Sequence, residues 1–224
     1  MADIAHFFQS VKLPVMPEVA QALIRTLNAP EADVPSVTHV IAKDPALTAS
    51  LLRVANSALF GLSRSVSSLD SAVSVVGLPQ IRVRALSICI ANAFRFPPNL
   101  SRLEFWRSSM VCAGYAKWLA GTIGLDQQQA WLTGMMVRLG ELVIAQRNPE
   151  LLEAIECQIT AELARRWDFP AAVAQALDAG SQPLVAAEFP RLGAVVHALG
   201  LNLEKLKIHM PHAESFSDTS MLPG

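Results

Sequence analysis

Apolar residues return along this chain at helical spacing, and prolines and glycines mark where each helix starts and stops. Pro17 opens a segment with Val19, Ala20, Leu23, Ile24 and Leu27 on one face, and Pro35 opens another through Val37, Val40 and Ile41. The block KDPALTASLLRVANSALFG, residues 43–61, is the most informative. Asp44 can cap the free N–H groups of a helix start, and Pro45 fits the first turn, where a missing N–H costs nothing. Leu47, Leu51, Leu52, Ala55 and Leu59 then form one stripe expected to be buried, and Gly61 is expected to close the helix in a left-handed C-cap. Asn56 and Ser57 are polar where the stripe would otherwise run on. Ser67 or Ser68, with Asp70 behind it, reads as the capped start of a helix over Leu69–Val76 that Gly77 ends. Pro79 begins one that runs to about residue 94.

Pro97-Pro98-Asn99 is the best break, since paired prolines cannot continue a helix. Beyond it the pattern predicts a long helix over residues 101–122, ended by Gly121 or Gly124, and a second over 127–146. Asn148-Pro149 is expected to restart a helix reaching Arg166, and Pro170 starts a short one. Pro190 starts the last stripe, Leu192, Val195, Val196 and Leu199. Strand-like alternation is missing apart from an extended piece around 63–67. The expectation is an all-α multi-helix bundle in two packed subdomains, 1–97 and 98–211, with a polar tail of low order over 212–224.

Composition narrows the function classes. Eighteen basic and nineteen acidic side chains leave a net charge of −1, so neither the basic surplus of a nucleic-acid binder nor the polybasic cluster of a membrane-surface binder is present. Cys89, Cys112 and Cys157 are far apart, form no CxxC pair and sit in apolar stripes, which fits buried thiols in a reduced cytoplasmic protein. The N-terminus lacks the pattern of a signal peptide, and the longest apolar run, residues 85–94, is about half a membrane span. Trp106, Trp118, Trp131 and Trp167 read as core or seam aromatics, and Met110, Met135 and Met136 as gap-fillers. Arg82 and Arg84 are expected to be solvent-facing or interface charges on different sides of their helix, and Arg165 and Arg166 to favour a helix C-terminus.

Metal and nucleotide motifs are scarce. His6, His39, His197, His209 and His212 include no i, i+4 pair within a helix, and His209 and His212 flank Pro211. There is no G-x-S-x-G elbow, Walker loop or G-x-G-x-x-G.

The succession KDPALTASLLRVANSALFG, VSSLDSAVSVVGLPQIR, FWRSSMVCAGYAKWLA, WLTGMMVRLGELVIAQ and AELARRWDFPAAVAQAL resembles the HDOD family over about residues 8–200. These are helical signalling-output modules similar to the HD metal-dependent phosphohydrolases. The resemblance implies that Asp44, Pro45, Arg53, Asn56, Ser57, Gly61 and Gly77 belong to a structural motif. After Asn148 the match is weaker, with part of a connecting segment missing.

In the HD enzymes a His-Asp pair and further histidine and aspartate ligands hold metals that activate a water. Here the resemblance places that pair on Val137 and Arg138, with Glu141 in place of a lysine three positions on. The first metal histidine falls on Ser108, a later one near Glu156, and the late aspartate near Gly200. Val137 and Gly200 offer no donor and Arg138 repels cations, so no metal or other cofactor is expected and the chain is expected not to be an enzyme. Arg138 is expected to pair with Glu141, either as an exposed i, i+3 pair or as a buried pair that also engages Glu156 and replaces the cation.

The leading expectation is a non-catalytic adaptor that meets an unidentified signalling protein in trans, with no nucleic acid and no membrane as partner. The alternatives are a nucleotide or cyclic-dinucleotide sensor using a remnant cleft of Ser108, Val137, Arg138, Glu141 and Glu156, and a residual phosphohydrolase.

Overall fold

The computed structural model describes residues 14–29, 33–57, 60–61, 65–98, 100–145, 156–180 and 190–200. Among them every regular element is an α-helix, as the periodicity predicts. The N-terminal half holds α1 (Glu18–Leu27), α2 (Val34–Ala42), α3 (Pro45–Ala55), α4 (Leu69–Val76) and α5 (Leu78–Ala93). The second half holds α6 (Arg102–Thr122), α7 (Gln127–Met136), α8 (Leu139–Ala145), α9 (Glu156–Arg166), α10 (Ala171–Ala179) and α11 (Arg191–Gly200). None of these helices is by itself long and apolar enough to cross a membrane.

Short polar side chains start the helices by accepting the free N–H groups of the first turn. Asp44 takes the N–H groups of Ala46 and Leu47 at 3.0 Å, and Asp126 takes those of Gln128 and Gln129 at 2.7 and 3.0 Å. Asp33, Ser68 and Ser101 do the same for α2, α4 and α6. Gly77 is shared between two helices: it ends α4 and precedes α5, and its φ of 90° permits the 115° bend between them.

The main apolar cluster runs from Met16 to Leu177 and draws on helices before and after Pro97-Pro98. A second cluster joins the C-terminal half of α6 to α7, α10 and α11 through Cys112, Ala116, Ala120, Ala130, Ala176 and Val196. Met110, Met135 and Met136 are buried, as gap-filling requires. Cys89 and Cys112 are buried, whereas Cys157 is only half-buried.

Four expectations need correction. First, the helix begun at Pro45 ends at Ala55, not at Gly61. Asn56 terminates it: its amide donates to the Leu52 and Val66 carbonyls, both at 2.8 Å, while its Oδ1 accepts the Val66 N–H at 2.6 Å. The side chain thus stands in for a strand partner of Val66, which accounts for the extended stretch expected nearby. Gly61, with φ 55°, lies beyond the helix, and Leu59 is outside the described residues. Arg53 stays exposed and bonds Ser50, whereas the Ser57 hydroxyl is buried with no hydrogen-bond partner among the described residues.

Second, the helix expected over 127–146 is broken at Val137 and Arg138 into α7 and α8. Third, Arg84 is 8% exposed and not solvent-facing; its guanidinium carbon lies 5.3 Å from the centre of the Phe60 ring and 5.8 Å from that of Trp131. Aromatic faces take the place of water around this cation. Fourth, Trp118 is 42% exposed and not a core aromatic, because it points off the outer side of α6 while Trp106 and Trp131 fill the interior. The expected helix restart at Asn148-Pro149 and the tail over 212–224 lie outside the described residues.

Replacing Asn56 by Ala leaves the buried Val66 peptide groups without partners, at a cost of about 1–3 kcal/mol. Thermal unfolding followed by circular dichroism should show a melting temperature lower by several degrees, at roughly 2–4 °C per kcal/mol for a chain of this size.

Candidate functional site

The break between α7 and α8 has a visible cause. In an unbroken α-helix the Gly140 N–H would bond the carbonyl four residues back. Here it donates to Thr160 Oγ1 of α9 at 2.8 Å, and the Thr160 hydroxyl donates in turn to the Glu156 carbonyl at 3.0 Å. This contact requires close approach. A Cβ on Gly140 would collide with the Glu156 carbonyl oxygen and would lie 2.7 Å from Thr160 Oγ1. Only the hydrogen side chain of glycine lets α8 sit against α9 in this way, and the turn at 137–138 follows.

That turn projects Arg138 into a cluster of carboxylates and rings. Its Nη2 donates to Glu141 Oε2 at 2.6 Å, with the two side chains 32% and 20% exposed, so the pair is partly withdrawn from water. The guanidinium carbon lies 5.1 Å from the centre of the Phe105 ring on α6. Phe105 is itself held edge-on by Trp106 at 5.1 Å and Phe96 at 5.5 Å. A cation backed by a fixed aromatic face and pinned by a carboxylate loses most of its rotamer freedom.

Glu156 completes the cluster from the first turn of α9. Burial first, and then the neighbouring Glu141 carboxylate, push its carboxyl up from 4.5, Arg138 partly offsets both, and the net result is about 7. The same guanidinium counteracts the upward push that burial gives the Cys112 thiol on α6, so its field reaches across to that helix.

The structure pairs Arg138 with Glu141 as a half-exposed i, i+3 contact and places Glu156 within the field of both, without an Arg138–Glu156 ion pair among the described contacts. Ser108 takes no part: its hydroxyl donates to the Glu104 carbonyl at 2.9 Å, one turn back on its own helix. Val137 contributes packing, with its side chain against both apolar clusters. Gly200 ends α11. Phe105, Gly140 and Thr160 have parts that spacing did not reveal. Nothing in a sequence marks a threonine as the acceptor of an amide twenty positions earlier.

A divalent ion does not fit this donor set. The guanidinium is bonded to one of the two carboxylates and attracts the other, the Ser108 hydroxyl is committed to its own helix, and Val137 has no donor. Among the described residues no three His, Cys, Asp or Glu side chains gather.

The HDOD domain matches residues 13–157, well over half of the chain. The chain belongs to the HDOD family. An uncharacterized protein of Treponema pallidum (strain Nichols) is 26% identical over 183 residues, 70% of this chain. The HDOD chain spans only 35% of the length of that relative. Two crystal structures are 21% identical and cover 99% of the chain. One, from Shewanella amazonensis SB2B, carries a phosphohydrolase name, has a TM-score of 0.77 and is covered over 82% of its length. The other, from Marinobacter aquaeolei VT8, carries a signal-transduction name, has a TM-score of 0.76 and is covered over 59%. At this identity the likeness establishes the shared HDOD helical fold.

Two predictions test the site. Gly140→Ala should lower stability by about 3 kcal/mol or more, because the collision is with backbone and cannot relax cheaply. A denaturant midpoint measurement reads this directly. The raised Glu156 carboxyl gives a pH signature. The folded chain holds this proton more tightly than the unfolded chain, so its contribution favours folding most below pH 4.5 and declines as pH rises to about 7. The full span is about 3 kcal/mol before solvent screening. Glu156→Gln should therefore match the parent chain near pH 4.5 and melt several degrees higher above pH 8. A difference independent of pH would contradict the assignment.

Proposed function

We propose that this HDOD module is non-catalytic and works by presenting its helical surface to another signalling protein. The observation that carries this reading is the position of Arg138. Its guanidinium pairs with Glu141, rests on Phe105 and lowers the charge cost of Glu156. A hydrolytic site of the HD kind needs donors converging on an ion with one position left open to water. Here the converging carboxylates face a permanent cation instead. Being built from side chains, that cation stays bound whatever the metal supply.

The same pairing weakens the sensor reading, since the guanidinium that would meet a phosphate is already engaged at 2.6 Å. A purified preparation offered manganese or ferrous iron with p-nitrophenyl phosphate and its diester should show no metal-dependent hydrolysis. Thermal shift should not respond to nucleotides or divalent metals. Hydrolysis that requires metal would reject the proposal in favour of a phosphohydrolase, and stabilisation by nucleotide alone would favour the sensor.

Arg138→Met supplies an internal check. With the guanidinium gone, Glu141 and Glu156 repel one another unopposed. The loss should be about 1–3 kcal/mol at pH 8 and smaller at pH 5, where Glu156 is protonated. A melting temperature unchanged at both pH values would show that the pair is only an exposed surface contact.

A further inference from the structure

Between Arg107 and Asp126 the chain carries a single charged side chain, Lys117. It sits half-buried on α6, and the charge that acts on it is the Arg84 guanidinium of α5. The neighbouring helices offer it no carboxylate: Arg82 and Arg84 are the charged residues of α5, and α7 has none. We propose that Lys117 is a nucleophilic amine, a modification site that takes acyl groups from small acyl phosphates. This chemistry is independent of the adaptor role.

A helix lysine ordinarily finds a carboxylate three or four positions away on its own helix. At those distances from Lys117 stand Ala113, Gly114, Ala120 and Gly121, which offer neither a charge nor a side chain longer than a methyl group. Lys117 accordingly makes no hydrogen bond or ion pair with another described residue. Arg84, by contrast, is fixed: it is 8% exposed, with its guanidinium carbon 5.3 Å from the centre of the Phe60 ring and 5.8 Å from that of Trp131. An amine partly withdrawn from water beside a second cation is the arrangement that activates a lysine, because both effects favour the neutral form that attacks. Burial first, and then Arg84, make the Lys117 ammonium give up its proton more readily than an ordinary lysine.

The same two cations select the donor. Neighbouring positive groups draw a dianion, and an acyl phosphate carries its negative charge directly beside the carbonyl carbon to be attacked. The Lys117 Nζ lone pair adds to that carbon and forms the C–N bond. The bond from the carbon to the phosphate oxygen then breaks, inorganic phosphate leaves with the bonding electrons, and the nitrogen loses one proton to water. The product is a neutral amide that no longer repels Arg84.

The test incubates the folded chain with acetyl phosphate and follows each lysine by mass spectrometry, with the exposed Lys43 as internal reference. Lys117 should be acetylated at least about threefold faster than Lys43, and the two should react alike in concentrated guanidinium chloride. The rate at Lys117 should reach its plateau at a lower pH in the folded chain than in the denatured one. With S-acetyl-N-acetylcysteamine, a neutral thioester, the preference for Lys117 should shrink but remain. Arg84→Gln should slow Lys117 toward the Lys43 rate. Because Arg84 is buried, Lys117→Met serves as a second variant: it keeps the stem, removes the charge that meets Arg84, and should melt higher than the parent. A Lys117 no faster than Lys43, a folded Arg84→Gln chain with Lys117 undiminished, or a Lys117→Met chain that melts lower would each overturn the proposal. An equal preference with the neutral donor would overturn acyl phosphates as the donor class.

Discussion

The contact of Gly140 with α9 is the constraint on which the rest of this site depends. One missing Cβ lets a backbone carbonyl and a threonine hydroxyl approach, and the Gly140 amide leaves its helix to meet that hydroxyl. The α7–α8 helix must then turn at 137–138, and the turn aims Arg138 at Glu141, Phe105 and Glu156. Electrostatics did not create this geometry. Backbone packing placed the groups, and the charges follow from it: a cation bonded to one carboxylate and attracting another, which holds its proton to about pH 7.

Cations in this HDOD chain are stabilised in two different ways. Arg138 has both a carboxylate and an aromatic face, while Arg84 lies deep in the structure beside Phe60 and Trp131. A guanidinium tolerates such sites because it is flat and weakly hydrated, so a ring face replaces much of its hydration. Lysine would not serve as well. Lys117, near Arg84 and half-buried, has its ammonium pushed toward the neutral form by burial and by that same arginine. The aromatic residues around Pro97-Pro98 therefore do more than fill volume. Phe96 and Phe105 lie against one another across the break and join the end of α5 to the start of α6, so the ring under Arg138 is fixed by both halves.

Much of this was legible in the sequence, and the reasons differ by element. Helix starts were readable because a cap is local: Asp44, Ser68, Ser101 and Asp126 each act within three residues of themselves. The family resemblance was readable because the densest motif, residues 43–61, is almost all structural. Helix ends were less so. Asn56 stops α3 by binding Val66, ten residues away, and no periodicity reports a side chain that reaches that far. The break at 137–138 was hidden for a stronger version of the same reason, since its cause lies on another helix at Glu156 and Thr160. Arg138 and Glu141 could be paired from their spacing alone, but the choice between an exposed and a partly buried pair needed Phe105. Arg84 was misjudged because a charge in an apolar helix is ordinarily taken to face water, and its aromatic neighbours come from distant segments.

The position of the carboxylates bears on why an ion pair and a metal are poor substitutes for each other in function. A divalent ion held by three ligands keeps a position for water and draws a proton from it. A guanidinium has no empty orbital to offer; it donates hydrogen bonds in its own plane and leaves the acidity of nearby water almost unaltered. A guanidinium in a metal's place can thus keep a geometry without keeping its reactivity. Helices α6, α8 and α9 converge on Arg138, with Phe105 beneath it and Gly140 against α9. Under the reading proposed here, that convergence is what matters, because a rigid arrangement of α6, α8 and α9 holds the outer surfaces of the same helices in register for a partner.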